Sequence, residues 1–234
     1  MKFDPPLIRG KLIKRYKRFL ADVRLENGEQ VTAHCANTGA MTACLWPDYP
    51  VYLSYSDNPK RKLAYSWQLA QNPQGDWIGI NTHSANKLVA EAVTEGRIPE
   101  LAGYERQRSE VRYGEQNSRA DLVLESEQRP RCVVEVKSVT LLDETQGYFP
   151  DTVTTRGQKH LEELISVVQA GQRAVLFFCV QHSGISSVKV AEHLDPAYAR
   201  LFYQALEQGV EVLAYGCDFS PEAVVLNQPV PVNV

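Results

Sequence analysis

The stretch Arg131–Thr140, RCVVEVKSVT, decides how this chain is read. Apolar and β-branched residues surround Glu135 and Lys137, the pattern of a central strand covered on both faces. Alternation along a strand puts Glu135 and Lys137 side by side on one face. An acid and a base buried there are unfavourable unless they pair or bind something. A structural ion pair at a strand end is one reading, and a reactive site is the other.

The neighbouring acids favour a site. Asp121, in ADLVLES, lies 14 residues before Glu135, at the start of the preceding strand. Two strands joined by a short polar loop would bring these carboxylates to neighbouring positions. Glu110, in SEVRYG, comes 11 residues earlier still, on another extended segment. Three carboxylates and a lysine on one sheet edge suit a hard cation. Mg²⁺, with Mn²⁺ as its substitute, takes a few carboxylate oxygens, keeps several waters and accepts phosphate oxygens. Lys137 would then orient or deprotonate the attacking water.

Outward from this strand, extended and helical patterns alternate. Ser84–Glu95 has helical spacing, closed by Gly96, and the segments around Glu110 and Asp121 are extended. DETQGYFPD reads as a long loop, with Gly147–Asp151 forming either a lid or a rigid hydrophobic plug. Thr154–Ala170 is an amphipathic helix by Leu161, Leu164, Ile165 and Val168, and Gly171 stops it. A buried strand AVLFFCVQ, a helix near Pro196–Gln208, a strand VEVLAYGCD and a Pro-interrupted tail follow. This alternation predicts an α/β domain with a central mixed sheet over residues 82–234. Residues 1–81 differ: short strands separated by turn residues, including a hairpin at Asn27-Gly28, predict a small barrel.

Composition limits the classes. The chain has 234 residues, is 44% hydrophobic and 23% charged, so it can bury a core. No run of about 20 apolar residues exists to span a bilayer. The N-terminus lacks the apolar h-region of a secretory signal. Five scattered cysteines without a CxxC pair argue against a disulfide scaffold and for a reducing, cytoplasmic setting. No GxxxxGK[ST], GxGxxG or GxSxG is present, so no nucleotide cofactor is expected. Oligomeric state is not legible.

The net charge of −3 hides an asymmetry: residues 1–80 carry 11 Lys+Arg against 7 Asp+Glu, and the remainder carries 14 against 21. Arg15, Tyr16, Lys17, Arg18 and Phe19 interleave charge with aromatic rings, as a nucleic-acid surface requires. A solvated strand edge is the plainer reading. Arg15, Lys17 and Arg18 are candidate phosphate contacts, and Asn37, Thr38 and Arg61 candidate polar ones. His160 is open between ligand, phosphate contact and cap. Gly157 either admits a phosphate at the helix start or serves the incoming loop. Trp46, Trp67 and Trp77 are either sugar platforms or core.

The order Glu110…Asp121…Glu135-x-Lys137 resembles the active-site signature of the PD-(D/E)xK nuclease superfamily. That resemblance implies a metal site at the acids and a polar residue from the next helix, TTRGQKHLEEL. Gln158 or Lys159 would fill that role, Lys159 also as a DNA contact. Ser118-Arg119-Ala120 precedes Asp121 without the usual proline.

The whole chain resembles the sugar fermentation stimulation protein A family. The resemblance is carried by KLIKRYKRFLADV (11–23), CANTGAM (35–41), NTHSANKLVAEA (81–92), SEVRYG (109–114), VEVKSVTL (134–141), GYFPD (147–151) and TTRGQKHLEEL (154–164). It implies an OB-like barrel followed by a nuclease-like domain, with largely sequence-nonspecific DNA binding and a regulatory link to sugar, including maltose, catabolism. A working Mg²⁺-dependent nuclease is the alternative, and a carbohydrate-binding module a third, suggested by the family name alone.

Overall fold

The computed structural model describes residues 1–37, 39, 41, 44–113 and 118–234; Thr38 lies outside them. The first body is built from β1 (Ile8–Tyr16), β2 (Leu20–Leu25), β3 (Gln30–Cys35), β4 (Pro50–Tyr55) and β5 (Tyr65–Gln71), with β6 (Trp77–Gly79) appended. Their order is β3-β2-β1-β4-β5-β6, and a parallel β3–β5 pairing, Ala33 with Tyr65 and Cys35 with Trp67, closes a five-stranded barrel. Gly28, at φ 87, makes the β2–β3 turn where a side chain would be strained. Leu12, Val23, Ala33, Leu53, Trp67 and Ile78 fill the interior. Trp67 is fully buried, its indole N–H donating to Leu69 O at 2.9 Å, and Trp77 packs on Tyr52. These two rings belong to packing and offer no sugar platform.

The second body contains α1 (Ser84–Thr94), a 3₁₀ turn (Pro99–Leu101), β7 (Arg106–Tyr113), β8 (Ser118–Glu125), β9 (Cys132–Val139), β10 (Leu141–Asp143) and β11 (Gln146–Phe149). It continues with α2 (Thr155–Gln169), β12 (Arg173–Val180), β13 (Ser187–Val190), α3 (Pro196–Glu207), β14 (Glu211–Phe219), β15 (Val224–Pro229) and β16 (Val232–Asn233). Among the described residues the main sheet runs β15-β14-β12-β9-β8-β7, parallel at β9–β12–β14 and antiparallel at both flanks. Strand β9 is interior to it. Val133 and Val139 pack with Leu161, Leu164 and Phe202 of α2 and α3. Val134 and Val136 pack with Leu88, Val89 and Ala92 of α1. Alternation therefore sends Glu135 and Lys137 to the α2 side. No described helix is long and apolar enough to cross a membrane.

The two bodies share backbone hydrogen bonds. Ile78 bridges His182, Gly79 N donates to Gln181 O at 2.8 Å, and Ser183 N to Trp77 O at 2.9 Å. Residues 1–7 stay outside the barrel: Phe3 N donates to Glu222 O and Leu7 N to Pro221 O.

The segment expected as a long loop is instead the β10–β11 hairpin, with Leu141 opposite Tyr148. Its ladder partner is remote in sequence: β11 pairs in parallel with β13, forming a second sheet β10-β11-β13-β16. Phe149 packs on Phe178 and Tyr198, ring centroids 5.7 and 5.3 Å away. The segment is a plug. The Pro-interrupted tail likewise forms strands, β15 and β16.

Candidate functional site

The β8–β9 ladder stops at the Leu122–Val134 pair. One step further, Asp121 Oδ2 accepts the backbone N–H of Val136 at 2.8 Å, and its Oδ1 accepts from Asn86 Nδ2 of α1 at 2.7 Å. Alternation breaks here, because Ala120 and Val123, three residues apart, pack into the same core cluster. On β7, Glu110 falls at the same level, between the pairs Ser109–Leu122 and Val111–Ala120, with φ 56. A left-handed non-glycine backbone costs about 1–3 kcal/mol and tends to occur at functional sites.

Glu135 is 2% exposed. Its Oε1 accepts from Lys137 Nζ at 2.7 Å and from His160 Nδ1, while Lys137 Nζ lies 3.0 Å from the same ring nitrogen. Arg156 Nε donates to His160 Nε2 at 3.4 Å, which assigns the ring proton to Nδ1, facing Glu135. Two partners thus share one carboxylate oxygen. The other, Oε2, is buried and has no hydrogen-bond partner among the described residues. Burial works against the Glu135 charge, but the hydrogen bond from His160, then Lys137, outweighs it and holds the carboxyl below its ordinary pKa. Asp121 goes the other way: burial, then the Glu135 charge, raises it to about 6, against the opposing bonds from Val136 and Asn86 and the charge of Lys137. Two neighbouring acids thereby differ in acidity, as happens at many reactive sites.

Asp121, Glu135 and Lys137 come together as the sequence predicts, but two other candidates do not join them. Glu110 is exposed, its left-handed backbone turning it out of the row. Gln158 is drawn away by the N-terminus of α3, where its Nε2 donates to both Asp195 oxygens at 3.0 and 3.1 Å. His160, two positions on, is the residue of α2 that reaches the acids. Gly157 is explained by packing. A Cβ there would stand 2.7 Å from Thr154 Cγ2, and its N–H is already capped by Thr154 Oγ1. Lys159 is half-buried on α2. Glu163, one turn after His160, is 3% exposed with neither carboxylate oxygen hydrogen-bonded among the described residues, a buried acid that sequence reading did not single out.

The barrel's candidates divide. Arg15 is committed to two loops, donating to Asn37 O at 2.9 Å and Gly39 O at 3.3 Å between β3 and β4 and to Arg18 O at 3.1 Å in the β1–β2 turn. Lys17 and Arg18 project from the exposed β1–β2 turn beside Phe19, which is in that turn and not in a strand. Arg61 donates to Ser66 Oγ at 2.6 Å on another part of the barrel. Asn37 is buried, its Oδ1 accepting from Gly39 N, and lines a cleft of about 290 Å³ between the two bodies. Gly39, Asn86, Lys137, Ser138 and Tyr148 also line it.

The donor set is compatible with a divalent cation. Glu135 Oε2 and the Asp121 carboxylate are hard oxygen donors, and Mg²⁺ is commonly held by one or two carboxylates plus water and phosphate. Among the described residues no three His, Cys, Asp or Glu converge as ligands.

Comparisons with known proteins cover both bodies. Residues 83–223 match the model described as the sugar fermentation stimulation protein RE domain, and residues 13–80 the SfsA N-terminal OB domain. Proteins named sugar fermentation stimulation protein homolog from Pseudoalteromonas atlantica and Shewanella loihica are 60% and 57% identical, each covering 100% of both chains. A solved structure of Pyrococcus furiosus SfsA in complex with Ca²⁺ superposes with a TM-score of 0.88 at 28% identity, covering 100% of this chain and 98% of that one. The barrel, the mixed-sheet body and the sequence linking them together show that this chain belongs to the sugar fermentation stimulation protein family.

Proposed function

We propose that the protein binds DNA without strong sequence preference and hydrolyses its phosphodiester bonds at Asp121, Glu135 and Lys137, with Mg²⁺ or Mn²⁺ bound. The observation that carries this reading is Glu135 Oε2, a buried carboxylate oxygen without a hydrogen-bond partner among the described residues, beside the half-buried Lys137. Such a group is unfavourable in a structure that does not use it. The Pyrococcus furiosus relative was solved with Ca²⁺, which supports cation binding by this architecture.

Asp121 and Glu135 would hold the cation, Asp121 already oriented by Val136 N and Asn86. When bound, the cation would supply Lewis-acid charge to a phosphate oxygen. Lys137 lines the cleft, and its ammonium, held by Glu135 Oε1 at 2.7 Å, would be the donor to the phosphate or the attacking water. His160 fixes Glu135 Oε1, leaving Oε2 as the free donor. Hydrolysis joins the water's oxygen to phosphorus as one P–O bond breaks. One water proton ends on the released sugar hydroxyl and the other on the new phosphate or in solvent.

A second reading, binding without cleavage, is favoured by the exposure of Glu110, which leaves two carboxylates where three were expected. Incubation with plasmid and single-stranded DNA in Mg²⁺, Mn²⁺ or EDTA separates the two. Cleavage present with metal and lost in EDTA and in Asp121→Ala is expected. Retained DNA binding without cleavage in either metal leaves the second reading. Any influence on sugar catabolism would follow indirectly, through DNA.

A further inference from the structure

The cleft at Lys137 has dimensions and walls that restrict what can enter it. Its volume, about 290 Å³, is at the lower end of ligand pockets, which run roughly 300–1,000 Å³. That is the scale of one nucleotide. One wall is the barrel loop at Asn37 and Gly39, the other is α1 and β9, and the β11 plug closes the end. The roof is tight: a Cβ on Gly39 would lie 3.0 Å from an Asp151 carboxylate oxygen. Thr82 Oγ1, at the entry to α1, donates to Ala36 O at 3.2 Å, and the Ile78–His182 bridge ties the same two bodies. Widening the cleft would break these bonds.

The lining chemistry fits one strand. Lys137 is the cation among the residues that form it, whereas a duplex presents two phosphate rows and is held by many cations. Asn86 and Ser138 offer neutral polar groups, and Tyr148 offers an aromatic ring, half-buried and braced by His193 with centroids 5.4 Å apart. Stacking on such a ring is how unpaired bases are gripped without regard to sequence. A monosaccharide could use the same polar groups, but it carries no negative charge to match the ammonium of Lys137.

We propose that this cleft takes a single unpaired nucleotide of single-stranded DNA, its phosphate toward Lys137 and its base against Tyr148. The inference rests on the phosphodiester reading above and names its substrate class. The test is fluorescence anisotropy of the full chain in EDTA, with a labelled single-stranded oligonucleotide and a blunt duplex of the same sequence. The single strand should bind at least tenfold more tightly. Tyr148→Ala should weaken single-strand binding about tenfold, and Tyr148→Phe, which keeps the ring, should restore it. Duplex binding as tight as single-strand binding, or single-strand affinity unchanged in Tyr148→Ala, would overturn the proposal. Displacement of the oligonucleotide by millimolar maltose or glucose would overturn it in favour of a sugar pocket. Calorimetry with Mn²⁺ alone reports on the cation separately: heat present with no strand preference removes this inference and leaves the phosphodiester reading standing.

Discussion

The carboxylate of Asp121 accepts the backbone N–H of Val136 at 2.8 Å, one step beyond the last β8–β9 ladder pair. A side chain thus takes up a strand amide where pairing ends, and this fixes Asp121 against Glu135. Cation binding should depend on that arrangement. Titration calorimetry with Mn²⁺ should give heat in the wild type and none in Asp121→Ala. Glu110→Gln should bind within about twofold of wild type, because Glu110 faces solvent. Equal loss in both variants would restore Glu110 as a ligand.

Without metal, the same proximity destabilises the fold. Asp121 has its pKa raised from 3.8 to about 6, by burial and then by Glu135. The native state therefore holds this proton more tightly than the unfolded chain, and stability falls as pH rises through the window from about 4 to about 6. Asp121→Asn mimics the protonated form. In EDTA it should match wild type near pH 4 and exceed it above pH 6, by an order of 3 kcal/mol at most. Urea denaturation across that range measures the gap, and a gap that grows toward low pH contradicts the assignment.

Lys137 pairs with Glu135 at 2.7 Å, the two side chains 12% and 2% exposed. Removing Lys137 leaves Glu135 with His160 as a remaining side-chain partner, so the cost falls below the roughly 3–5 kcal/mol of a fully uncompensated buried charge. Lys137→Ala should therefore lower the denaturation midpoint, retain Mn²⁺ heat and lose cleavage. Undiminished cleavage in a folded Lys137→Ala protein removes the lysine from the chemistry.

The basic turn and Arg15 should respond differently to substitution. Lys17→Ala with Arg18→Ala should flatten the slope of log affinity against log salt by roughly 0.7 per lost contact on single strands. Arg15→Ala removes three hydrogen bonds to backbone carbonyls, so its main effect should be on stability, at about 1 kcal/mol or more. Anisotropy in a salt series, beside thermal melts, tells them apart; an unchanged slope in the double variant makes the turn a solvated surface.

What the sequence made legible follows from local periodicity. Burial of RCVVEVKSVT on both faces, and the side-by-side placement of Glu135 and Lys137, need only the two-residue repeat of a strand. His160 was recoverable by the same logic: it stands four residues before Leu164 and beside Leu161, on the apolar stripe of α2, whereas Gln158 is about 200° away around the helix. A family signature pointed to Gln158, and helical geometry points to His160. Glu110 could not be placed, because its left-handed backbone reverses the alternation on which a strand reading relies. The hairpin containing Tyr148 was hidden for a different reason. Its ladder depends on Ser187–Val190, some 40 residues away, and nothing local announces a parallel partner.

Residues 1–7 run beside Pro221–Val224 before the barrel begins, and Leu7 is buried in the core formed around α1. This has a consequence for the order of events during synthesis. Residues 1–7 leave the ribosome long before their partners at Pro221–Val224 are made. Strands β1 to β5 need only each other to close, so the barrel can form while the rest is unmade. The second body must wait for β14 and β15, and only then can it reclaim the amino-terminal segment. Ribosome-bound chains truncated near residue 130 should accordingly protect the barrel from protease and leave residues 1–7 open to it. Early protection of that segment would mean it first docks elsewhere.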